Sequence, residues 1–102
     1  MSINIGSYEF EGPYLSTDKL QNRSGVYAIH CKDSEQYLLI DIGESEDVKE
    51  RVKNHDRKDC WTKNCKGTLT VSVLYTPNLK QEGRKEIEQE LRDDYNPPCG
   101  ER

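Results

Sequence analysis

The chain has 102 residues, 33% charged and 32% hydrophobic, with a net charge of −4 and a mean hydropathy of −1.00. That length holds one domain. No apolar run approaches the roughly 18 residues that cross a bilayer and no basic-then-apolar leader opens the chain, so a single soluble cytoplasmic domain is expected.

Residues 1–15, with Gly6, Gly12 and Pro13 among scattered aromatics, read as an irregular arm or edge strand. Ser16-Thr17-Asp18 offers capping residues for a short polar helix to Leu20, broken by Asn22 to Gly25. From 24 to 98 apolar residues recur in short periodic runs, and this is the expected ordered core. Val26–Cys31 and Gln36–Ile42 read as strands joined by the polar connection 32–35, hence antiparallel. Leu38-Leu39-Ile40 is apolar on both faces, which predicts a central place for that strand.

Ser45 is the expected N-cap of a helix running to about His55, with Glu46 and Asp47 near its positive end. Residues 56–67 read as a polar loop with room for one helical turn. Leu69, Val71, Val73 and Tyr75 alternate with Thr70, Ser72 and Leu74 as a third strand. A charged amphipathic helix over 81–94 then stops at Asn96-Pro97-Pro98. The expected fold is α+β, a small three-stranded antiparallel or mixed sheet flanked by helices.

Two features bear on chemistry. Residues 49–66 carry seven basic side chains against three acidic ones, a local +4 that leaves −8 for the rest. Such a patch can meet phosphates even in an acidic protein, and Lys49, Lys53, Arg57, Lys58 and Lys63 are its candidate contacts. At about 100° per residue, Val48 and Val52 form the apolar stripe of the first long helix, with Arg51 and His55 on its flank. Glu88 stands likewise beside the stripe of Ile87, Leu91 and Tyr95.

The four cysteines could form two disulfides, but without a leader free thiols or metal ligands are expected. His55, Cys60, Cys65 and Cys99 could make a tetrahedral zinc site in a small interaction module. Cys31 is expected to pack as a small apolar residue and Trp61 to anchor its loop.

Gly25-Val26-Tyr27 opens the first core strand and Asp41-Ile42-Gly43 closes the second. Gly43-Glu44-Ser45-Glu46-Asp47-Val48-Lys49-Glu50-Arg51-Val52 follows, with His55 one turn beyond Arg51, then Glu88-Gln89-Glu90-Leu91 and a trailing Pro97. This ordered set, over residues 24–98, resembles the GIY-YIG endonuclease family. The resemblance implies a metal-dependent endonuclease that hydrolyses nucleic-acid phosphodiesters. Glu88 would hold Mg²⁺ or Mn²⁺, an ion that needs only one or two carboxylates and keeps most of its waters. Tyr27 would deprotonate or orient the attacking water. Arg51 would hold the scissile phosphate, and His55, with an ordinary pKa near neutrality, would relay a proton or contact phosphate.

DNA is the implied partner, with RNA open, and a protein partner would supply target choice. Two positions depart from the family pattern. Asp41 stands where the second tyrosine is expected, and Gly100 where an asparagine is common. Asp41 admits three readings: a replacement metal ligand or base, a structural acid paired with Arg51 or a lysine, or the mark of a binding or adaptor domain that no longer cuts.

Overall fold

The computed structural model describes residues 1–100. The class is the expected α+β, but the sheet has five strands where three were expected. The strands are β1 (Ser2–Ile5), β2 (Tyr8–Tyr14), β3 (Gly25–Asp33), β4 (Gln36–Ser45) and β5 (Thr68–Tyr75). The helices are α1 (Val48–Lys53), α2 (Lys58–Lys63) and α3 (Gln81–Tyr95), and a 3₁₀ turn covers Thr17–Lys19. Every pairing is antiparallel, in the order β1-β2-β5-β3-β4. The arm over 1–15 is thus a hairpin that widens the sheet. Ile5 and Phe10 alternate inward there, and Phe10 is fully buried.

β3, not β4, occupies the interior of the core sheet, and β4 lies at its edge. A register shift between Ile29 and His30 explains the misleading apolar run. Ile29 pairs with Asp41 and His30 with Leu39, so Ile40 is extra in β4. A bulge of this kind breaks the alternation and re-aims the neighbouring side chains. Ile40 then joins the same buried cluster as Tyr27 and Ile29, while Leu38 is left exposed.

Each face of the sheet carries its own core. On one face Tyr27, Ile29 and Cys31 of β3 and Val71 and Val73 of β5 pack against Val48 and Val52 of α1 and Trp61 of α2. On the other, Val26, Ala28 and Ile42 pack with Ile5, Phe10 and Leu91 of α3. α1 is shorter than expected. Ser45 Oγ accepts from the Asp47 N–H, and Asp47 itself caps the helix by accepting from the Glu50 N–H. α3 ends as its sequence predicts: Asn96 takes the left-handed conformation, its N–H bonded to the Arg92 carbonyl, ahead of Pro97.

The cysteines overturn the free-thiol and zinc expectations. Cys31 pairs with Cys65, and Cys60 with Cys99, so none is left as a ligand and no free cysteine remains among the described residues. Both bridges grip the α2 segment, one from β3 and one from the stretch after α3. Among the described residues no helix is long and apolar enough to cross a membrane.

Candidate functional site

Tyr27 and Gly43 are cross-strand partners on β3 and β4. Glycine is required there, because a Cβ would lie 2.1 Å from the Tyr27 hydroxyl. The phenol therefore lies across the β4 backbone, reaching His55 just beyond α1. Tyr27 Oη is 2.6 Å from His55 Nε2, and the two rings meet edge-on at 5.6 Å. The other ring nitrogen fixes the tautomer. His55 Nδ1 accepts the Arg57 backbone N–H at 3.0 Å, so the neutral ring carries its proton on Nε2 and donates it to the phenol oxygen. Tyr27 thereby keeps its own O–H free to point elsewhere.

The electrostatics of this pair differ from the expectation of a histidine titrating near neutrality. Burial, then the Arg51 and Arg57 charges, push His55 down to about 4. Burial pushes the Tyr27 phenol up to about 12, opposed by Arg57 and Arg51 and reinforced by Asp41 and Glu88. At pH 7 the ring is neutral and the phenol protonated. The charges acting on this one hydroxyl come from α1, the α1–α2 connection, β4 and α3. His55 thus touches Tyr27 directly, while Arg51, Asp41 and Glu88 are near enough to act on its charge, although Tyr27 itself is only 1% exposed.

Asp41, at 0% exposed, shows the ion-paired one of its three readings, with partners other than Arg51 or a lysine. Its oxygens accept from Arg57 Nε at 2.9 Å, Trp61 Nε1 at 2.7 Å, Arg92 Nη2 at 2.7 Å and the Ile42 N–H at 2.8 Å. Those four bonds occupy about all the lone-pair positions a carboxylate offers, and two guanidinium groups offset its charge. Arg92, also buried, bonds Glu88 Oε2 through Nε at 3.0 Å and the Cys99 carbonyl through Nη1. One arginine thus links Asp41 to Glu88.

Sequence reasoning missed Arg92, and with it Arg84, which is buried against Glu44 at 2.9 Å. The available signal was the spacing Arg84, Glu88, Arg92 at four-residue steps, which puts all three on one face of α3 beside Leu91. Trp61 anchors its segment as expected, through Asp41 and by a tilted ring contact 4.6 Å from His55.

Of the basic patch, Lys53, Lys58 and Lys63 are exposed and Lys49 is half-buried. Arg57 is diverted inward to Asp41, with 28% of its side chain exposed. Arg51 is paired with Asp56 at 3.1 Å, rather than with Asp47 or Glu50. A cleft of about 770 Å³ adjoins the site, lined by Ser24, Glu44, Arg51, Lys80 and Arg84 among others. Arg51 is the member it shares with the group around Tyr27.

For a divalent cation, the donor set fits a hydrated ion on one carboxylate and not a multidentate cage. Glu88 is partly exposed and one of its oxygens is bonded by Arg92. Among the described residues no three His, Cys, Asp or Glu side chains group as metal ligands. Comparison with known protein families, with curated proteins and with solved structures finds no match to this chain.

Proposed function

We propose that this chain is a compact GIY-YIG-type nuclease domain that hydrolyses nucleic-acid phosphodiester bonds with the help of Mg²⁺ or Mn²⁺. The observation that carries the reading is the Tyr27–His55 contact at 2.6 Å, with Arg57, Arg51, Asp41 and Glu88 all acting on the same phenol. These residues are far apart in sequence, and Arg51, His55 and Glu88 follow Tyr27 in the chain order of the family the sequence resembles. In this reading Arg51 binds the scissile phosphate from the cleft and opposes its growing charge. His55 orients the phenol oxygen through Nε2–H, so Tyr27 can position the attacking water with its free O–H. Glu88 holds the cation through the oxygen that Arg92 does not take. When bound, that cation supplies positive charge at the phosphoryl oxygens and lowers the pKa of its waters. Lys49, Lys53, Lys58 and Lys63 carry duplex contacts, which predicts weak, steeply salt-dependent binding.

The test is incubation with supercoiled and branched DNA, with and without Mg²⁺ or Mn²⁺. Metal-dependent nicking that falls at least about a hundredfold in Glu88→Ala and Arg51→Ala, on the scale of a lost transition-state contact, supports the reading. Cutting unaffected by either substitution sinks it.

Two observations favour a second reading, a nucleic-acid-binding domain that does not cut. The Tyr27 side chain is nearly sealed and Asp41 is committed to two arginines. Salt-sensitive binding without metal-dependent nicking would select it. The expected cytoplasmic placement and the two disulfides pull in opposite directions, since cytosolic thiols are kept reduced. Thiol counting on protein taken directly from cells decides between them.

A further inference from the structure

Four charged side chains, Arg51, Arg57, Asp41 and Asp56, act on His55, and they are held very differently. Arg57 is fixed: Nε and Nη2 both face the buried Asp41, at 2.9 and 3.4 Å, and Trp61 and Arg92 hold that carboxylate in place. Arg57 Nη1 makes no hydrogen bond among the described residues, and 28% of the side chain is exposed. Arg51 is loosely held. Its one ion pair among the described residues is to Asp56 at 3.1 Å, with 38% of the arginine side chain and 71% of the aspartate side chain exposed. The same aspartate oxygen lies 3.4 Å from His55 Nδ1.

Asp56 is thus an exposed carboxylate seated among the site's cations. Its own backbone N–H, then Arg51 and Arg57, hold its carboxyl below the usual range. Exposed pairs of this kind are worth little in water, so a competing anion can displace it. Phosphate is the better competitor, because it carries more acceptor oxygens and suits the planar guanidinium fork.

We propose that Arg51 and Arg57 form a seat for one phosphate group, and that the Asp56 carboxylate occupies Arg51 in the empty state and must swing out to admit it. The inference rests on the nuclease reading in identifying that phosphate as part of a nucleic-acid backbone. It goes further in naming Arg57 as a second phosphate contact and Asp56 as an internal competitor. Asp41 is then a positioning residue, since it aims Arg57. The cleft of about 770 Å³ beside Arg51 leaves room for the nucleotide attached to the phosphate.

The experiment compares Asp56→Asn with Asp59→Asn, an equal charge change on the exposed side of α2. Binding is measured to a fluorescein-labelled 20-base-pair duplex in EDTA, where no cutting intervenes. Inorganic phosphate is titrated in parallel while the Arg51 and Arg57 Nε–H resonances are followed by NMR. Asp56→Asn should bind the duplex about three- to fivefold more tightly than Asp59→Asn, the gain expected from releasing one exposed ion pair. Phosphate should shift both arginine resonances at lower concentration in Asp56→Asn, and adding Arg51→Ala should abolish the gain. Equal affinities of the two variants, or a gain that survives Arg51→Ala, would overturn the proposal. Should the ordering hold while no metal-dependent cutting is found, the phosphate seat stands and the nuclease reading falls.

Discussion

Gly43 lies so close beneath Tyr27 that its missing side chain is what allows the phenol to reach His55. Gly43→Ala must push the ring off this position or bend β4. The expected cost is about 1–3 kcal/mol, the usual range for overpacking a filled interior. Thermal unfolding should show the loss, and the His55 ring signals should shift with it. A variant with unchanged melting and unchanged His55 signals would refute this geometry.

Asp41 is the carboxylate that Arg92 shares with Arg57. Asp41→Asn keeps the shape but leaves a buried guanidinium facing a neutral amide. Removing one member of a buried pair commonly costs about 3–5 kcal/mol. A urea midpoint within a few tenths molar of the parent would show that this network contributes little.

The two disulfides close overlapping loops of 34 and 39 residues' separation. Chain entropy alone gives about 4 kcal/mol for one such loop, and less than twice that for two that overlap. Reduction should therefore lower the melting temperature sharply. The single tryptophan, Trp61, should report release of α2 by a red-shifted emission. Identical melting with and without reductant would contradict the pairing.

Stability should fall as pH drops from about 6.5 towards 4. Burial pushes both His30 and His55 down to about 4. In that interval the unfolded chain binds protons that the folded chain refuses, so unfolding gains at lower pH and the loss levels off below 4. Each histidine can account for on the order of 3 kcal/mol. Urea titrations at pH 7, 5.5 and 4.5 should show the slope. His30→Leu, which removes one titrating group, should flatten it by about half.

The periodic parts of the chain were readable because burial imposed a period on them. β5 alternates in residue type although both its faces are buried, Val48 and Val52 mark the inner side of α1, and the β3–β4 connection is short and polar. The helical stripes placed Arg51, His55 and Glu88 beside the core, and the family resemblance singled out Tyr27. What escaped was held by partners distant in sequence. α2 is six residues long without a side-chain cap, so local pattern barely marks it. Its order comes from two bridges and from Asp41, and four cysteines alone permit three pairings. The β1–β2 hairpin was hidden by Gly6, Gly12 and Pro13, although Ile3, Ile5, Tyr8 and Phe10 do alternate. Buried Arg92 defied composition rules, which place arginine outside unless it is paired. Its partner Asp41 lies 51 positions away.

The interlocked spans of the two bridges also govern what a single backbone break can do. A protease that cuts once at any bond from Cys31–Lys32 to Pro98–Cys99 severs the chain inside at least one closed loop. The two fragments then stay covalently tied. Such a nicked molecule migrates as one species on a non-reducing gel and splits only when thiol is added.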